Sequence, residues 1–196
     1  MRVLPFCLFT LLLLTACSES AEEEEEFVNW SARNEQYLAT VANDSMQQSG
    51  WQRFKKYSLD PSTTGKVGDY VYVKVIEQGN STTKPAYTDS VRVMYQGRLI
   101  PSKTYPQGYI FDGTVHGTFS LATGSTAKMK VANTIDGFST ALQHMSVGDY
   151  WRVYIPWELG YGTSGSGSTI PGYSVLVFDL ALIDTSPAGQ VMKPWR

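Results

Sequence analysis

The stretch from Ser139 to Leu182 constrains the fold of this chain more than any other. It reads as an amphipathic helix, a tight turn, a strand, a Gly/Ser loop closing on Ile170-Pro171, and a last strand. Val175 to Leu182 is nearly all apolar, the pattern of a central strand covered on both faces. The helix just upstream is the nearest cover. Phe138, Ala141, Leu142 and Met145 recur at i, i+3, i+4 and i+7, one apolar stripe, with Asp136 placed to cap the helix start. The order predicts an apolar pocket floored by a helix and rimmed by a loop.

Upstream, the pattern from Gly68 onward is β. Tyr70 to Ile76 is a β-branched and aromatic run ended by Gly79-Asn80. Val91, Val93 and Tyr95 alternate with Arg92, Met94 and Gln96, and Trp151, Val153 and Ile155 alternate with Arg152 and Tyr154. Tyr109 to Asp112 and Thr118 to Ala122 are shorter strand candidates. Residues 29–48 read as a helix, with Trp30, Tyr37, Leu38, Val41 and Ala42 near one face. That stripe needs a partner, either the main domain or a second copy of the chain in a homodimer. Several strands with one short helix packed across them give an α+β class. The expected architecture is a twisted antiparallel half-barrel sheet wrapped on that helix, with an N-terminal helical extension.

The first residues form no part of this domain. Met1-Arg2 precedes an apolar run from Val3 to Leu14 that is too short to span a membrane. It ends in Leu14-Thr15-Ala16-Cys17, which resembles the lipobox of bacterial lipoproteins. That resemblance implies a signal peptide over 1–16 and lipidation of Cys17. Cys7 leaves with the signal, so no disulfide framework is expected. Residues 17–28 carry Glu22 to Glu26, a self-repelling run that reads as an acidic tether. The expected order then runs through a helical extension over 29–60, a sheet domain over 61–185 and a tail over 186–196. Without Arg2, Glu19 and Glu22–Glu26, the chain from residue 27 keeps 15 basic and 12 acidic residues, a net +3 with no basic cluster. Nucleic acid has no electrostatic footprint here.

Catalytic signatures are sparse. The two histidines, His116 and His144, read as solvated rather than metal-binding, so neither metal nor cofactor is expected. Ser125-Thr126-Ala127-Lys128 lacks the companion motifs of a serine acyl-enzyme, and Gly165-Ser166-Gly167-Ser168 lacks the lysine of a phosphate cradle. Instead, aromatic residues recur at the ends of the expected elements: Tyr95, Phe111, Phe119, Phe138, Tyr161 and Phe178. Asp112 stands beside one of them, and Tyr161 sits between glycines, where a core residue is not expected. Trp30, Trp51, Trp157 and Trp195 admit a different reading, as platforms for glycans.

Val91-x-Val-x-Tyr-x-Gly97-Arg98-Leu99, Phe111-Asp112 and Ile135-x-Gly137-Phe138 resemble the first half and helix entry of the FKBP-type peptidyl-prolyl isomerases. Gly148-Asp149, Ile155-Pro156, Leu159-Gly160-Tyr161-Gly162, Ile170-Pro171 and Leu176-Val177-Phe178-Asp179 follow in the order of the second half. The resemblance covers about residues 88–184. It implies a rotamase without cofactor, with Asp112, Tyr161 and Phe138 as catalytic residues. Tyr95, Phe111, Phe119, Ile135, Ile170 and Phe178 would line the substrate pocket, and the Tyr161 hydroxyl and Ile170 N–H would hold substrate carbonyls. Partners would be proline-containing peptides or proteins, and the place a bacterial envelope, through lipid at Cys17 and on the outer membrane. Phe138 replaces the family's usual tryptophan, Thr134 and Thr169 replace aliphatic residues, and Pro101–Gly108 and Ala122–Asn133 are long. The polar rim substitutions and the added helix over 29–48 motivate an alternative, the same barrel as a non-catalytic binding or chaperone module.

Overall fold

Alternation along the strands decides which side chains meet on which face of one sheet. In the computed structural model, which describes residues 26–45 and 47–194, a seven-stranded sheet runs in the order β1-β2-β6-β7-β3-β4, with β5 also on β3. The strands are β1 (Trp51–Lys55), β2 (Tyr70–Glu77), β3 (Ser90–Arg98), β4 (Ile110–Gly113), β5 (Ala127–Lys130), β6 (Tyr150–Ile155) and β7 (Leu176–Ser186). Every pairing is antiparallel. The helices are α1 (Trp30–Ser45) and α2 (Asp136–His144). The chain is α+β, and β7, the apolar run, is central between β6 and β3.

α2 covers one face of the sheet. Phe138, Ala141 and Leu142 are buried with Val91, Val93, Val153, Phe178, Leu180 and Leu182 in a single core. A Cβ on Gly137 would collide with the Ile155 side chain, so only glycine lets the helix sit this close to β6. Asp136 is the first helical residue and not a cap. Ile135 holds the extended N-cap position, and no side chain caps the helix.

α1 spends its stripe on its own domain. Trp30, Leu38 and Val41 are buried in the main core, and Tyr37 lies against Tyr154 with ring centroids 6.3 Å apart. Asn34 is fully buried: its Nδ2 donates to the Trp30 carbonyl and its Oδ1 accepts from the Val175 N–H, both at 2.8 Å. The Trp30 indole N–H donates to Ser174 Oγ at 2.8 Å.

The structure corrects the sequence reading elsewhere in the fold as well. The helix stops at Ser45, and Trp51–Lys55 within the segment read as helical is the edge strand of the sheet. Thr118–Ala122 is not a strand, and the four-residue β5 is. His144 is not solvated but stacked between Phe54, at 4.1 Å, and Tyr57, at 5.3 Å, and burial pushes its pKa down. The tryptophans form no platform: Trp30 is buried, Trp51 stacks on Tyr154, Trp157 packs edge-on to Tyr173, and Trp195 lies outside the described residues. The signal segment, Cys17 and Glu22–Glu25 also lie outside them. Among the described residues no helix is long and apolar enough to cross a membrane.

Candidate active site

The face under α2 carries an aromatic cup. Phe138 from the first turn of α2 meets Phe178 of β7 edge-on at 5.1 Å and Tyr95 of β3 at 5.9 Å. Phe111 of β4 closes on Phe178 at 5.6 Å. Gly97, paired with Phe178 across the ladder, makes room, because a Cβ there would lie 2.5 Å from Phe178 and 2.7 Å from Phe111. Ile135 and Ile170 join the same apolar cluster.

A β-bulge places the carboxylate. In the β3–β4 ladder Gly97 faces Asp112 and Arg98 faces Ile110, leaving Phe111 as the extra residue. Successive residues normally point to opposite faces; a bulge lets Phe111 and Asp112 share one. Asp112 Oδ2 accepts from the Tyr95 hydroxyl at 2.8 Å, and Oδ1 from the Gly113 N–H at 2.8 Å. Among the described residues no cation forms an ion pair with Asp112. Burial pushes the Tyr95 phenol far above its ordinary range, helped by its bond to Asp112 and that residue's charge. Tyr161 is 38% exposed at the lip, its pKa raised by burial and then by the Asp112 charge. The site therefore combines an apolar floor with a mouth where the Tyr95 and Tyr161 phenols, both raised in pKa, stand near a carboxylate that has hydrogen bonds but no ion pair.

The loop behind the cup is closed on itself. The Ile170 N–H donates to the Ser166 carbonyl at 3.1 Å, and the Ser166 N–H donates to the Ile170 carbonyl at 2.8 Å. Gly165 allows this with φ +70, where a Cβ would strike the Ile170 carbonyl. The amide expected to hold a substrate carbonyl is thus engaged within the loop. The N–H groups at the start of a helix lack intrahelical partners. Ile135 stands at the start of α2, which no side chain caps.

Of the nine site residues expected from the sequence, Phe119 alone is elsewhere. It stacks on Tyr150 at 4.9 Å, beside Met94, Val115 and Ala181, on the opposite face of the sheet. That face holds a polar cluster invisible to the sequence reading. Asp179, 1% exposed, accepts from Arg98 Nη2 at 2.7 Å, Arg152 Nε at 2.9 Å and the Tyr150 hydroxyl at 3.2 Å. The alternation that puts Phe178 in the cup necessarily puts Asp179 there. Among the described residues no group of three or more His, Cys, Asp or Glu could hold a metal ion.

The sequence pattern of the FKBP-type peptidyl-prolyl cis-trans isomerase family matches residues 81–183, which carry the cup. The chain belongs to that family. It is 42% identical over 111 residues to an FKBP-type 22 kDa peptidyl-prolyl cis-trans isomerase of Escherichia coli, covering 57% of this chain and 48% of that one. A macrophage infectivity potentiator of Trypanosoma cruzi is 30% identical over 94% of this chain and 84% of its own. Outer membrane protein MIP of Legionella longbeachae is 35% identical over 59% of this chain and 44% of its own. The chain thus spans about half the length of two of these relatives. Among solved structures, FkpA from Escherichia coli superposes with a TM-score of 0.60 at 25% identity, over 87% of this chain and 67% of that one.

Proposed function

We propose that this chain accelerates cis/trans exchange of Xaa-Pro bonds in peptides and proteins, with the proline ring seated on Phe138 and Phe178. The observation that carries this reading is the Tyr95–Asp112 hydrogen bond at the mouth of a four-ring cup, in a chain of an isomerase family.

The chemistry needs no nucleophile. The barrier to rotation is about 20 kcal/mol because the planar amide keeps its resonance. The twisted amide is less polar than the planar one, so a water-poor cup favours it over the ground state. A reduction of about 5 kcal/mol gives roughly a several-thousandfold acceleration. Asp112 biases the field at the mouth through Tyr95, Tyr161 donates to a substrate carbonyl, and the Ile135 N–H takes the role first read for Ile170. A protease-coupled isomerisation assay on the protein tests this. Faster exchange that weakens in Asp112→Ala supports it, whereas peptide binding without faster exchange selects the non-catalytic module.

Placement in a bacterial envelope accords with the outer membrane protein among the relatives. Lipid attachment at Cys17 rests on Leu14-Thr15-Ala16-Cys17, and mass spectrometry of the membrane fraction tests it.

A further inference from the structure

Beside the cup lies a second concavity of about 600 Å³, lined by Phe27, Trp30, Leu99, Tyr105, Tyr109 and the Ser168-Thr169 pair. We propose that it is a subsite for an apolar or aromatic side chain of the client, a few residues along the chain from the proline held in the cup. This rests on the isomerase reading and extends it.

Three observations support the assignment. The first is continuity. The Leu99 N–H donates to the Tyr109 carbonyl at 2.9 Å, which carries the β3–β4 ladder one pair beyond Arg98–Ile110. Leu99 and Tyr109 therefore follow Gly97 and Phe111 on the same face, two residues further along. At about 3.3 Å per residue, a client chain in extended form crosses from one site to the other in two or three residues. Ser168 and Thr169, also in the lining, immediately precede Ile170 of the cup.

The second is surface chemistry. Tyr105 and Tyr109 are 41% and 39% exposed, packed edge to face at 5.0 Å, so an unpartnered aromatic pair faces solvent. Glu26 is the one charged residue of the lining, so an acidic side chain is disfavoured, and the Arg33 guanidinium stacked over Trp30 at 5.2 Å gives a cationic one no advantage. The third is anchoring. Trp30 is tied to Ser174, whose hydroxyl donates to the Pro171 carbonyl at 2.6 Å, so this part of the lining is fixed to the loop that ends the cup.

The test is a set of proline peptides that differ only in flanking residues: a minimal Ala-Leu-Pro-Ala reference, then Phe, Lys, Asp or Gly placed two or three residues before or after the proline. In at least one register, Phe should raise kcat/KM by about tenfold over Gly through KM, while Asp gives no gain. Tyr109→Ala should abolish the gain and leave the reference peptide unchanged. Thr104→Trp, which fills the concavity from an exposed position, should do the same without relying on a truncated wall. A turned-over reference with no flank dependence, or a Phe gain that survives in both variants, overturns the subsite alone. An inert reference overturns the isomerase reading and this one with it.

Discussion

The two faces of the sheet solve the same problem in opposite ways. Each carries a carboxylate bonded to a tyrosine hydroxyl: Asp112 to Tyr95 under α2, and Asp179 to Tyr150 on the outer face. Asp179 is buried and clamped by two guanidiniums, at 2.7 and 2.9 Å. Asp112 lies at an open mouth without an ionic partner among the described residues. A buried charge must be compensated within the protein, and the two guanidiniums supply that compensation for Asp179. A carboxylate left uncompensated beside a dry cup retains a field that a ligand can feel. Under the function proposed above, the missing countercharge and not the charge itself marks the face that works.

The sharpest way to break this contrast is Asp179→Ala. It strands Arg98 and the half-exposed Arg152, and unfolding free energy in urea should fall by about 3 kcal/mol. The kcat/KM of the folded fraction should not change. Next comes Asp112→Ala, with kcat/KM lower by about tenfold and stability within about 1 kcal/mol of the parent. If Asp112→Ala unfolds the protein, or Asp179→Ala slows turnover of folded protein, the division between the faces is wrong. Tyr95→Phe sharpens the comparison: it keeps the ring and loses the bond, so turnover should drop about threefold, a little under 1 kcal/mol.

The smallest effect is alkaline. Burial, followed by the Asp179 charge, pushes Tyr150 up to about 12, and burial, followed by Tyr154, does the same for Tyr37. The unfolded phenol ionises near the ordinary 10.0, so the unfolded state gains from ionisation first. Stability from these two tyrosines is complete below pH 10 and is lost as pH rises towards 12. The urea midpoint should therefore be level from pH 7 to 9 and fall between 10 and 12, less steeply in Tyr150→Phe.

Much of this was legible in the sequence where a pattern forces burial. The apolar run of β7 and the stripe of α2 could only be central and covering. Phe138, Phe178, Tyr95 and Phe111 meet as their positions at element ends required. β1 was hidden because Trp51-Gln52-Arg53-Phe54-Lys55 sits at an edge and buries no strict alternate set. β5 was hidden because four residues with two lysines carry almost no pattern. Phe119 was misplaced for a different reason. It is held by a ring stack on Tyr150 and not by a strand, so its face could not be deduced by counting residues. The bulge that turns Asp112 towards Tyr95 and the hydrogen bond that occupies the Ile170 amide depend on partners distant in sequence, and only folding brings those together.

The bond from Asn34 to the Val175 amide has a mechanical reading. Val175 lies three residues before Phe178, so the N-terminal leash is knotted to the strand that carries one wall of the cup. A load on α1 is therefore passed through a side-chain hydrogen bond to the residue that leads into β7, and so to Phe178.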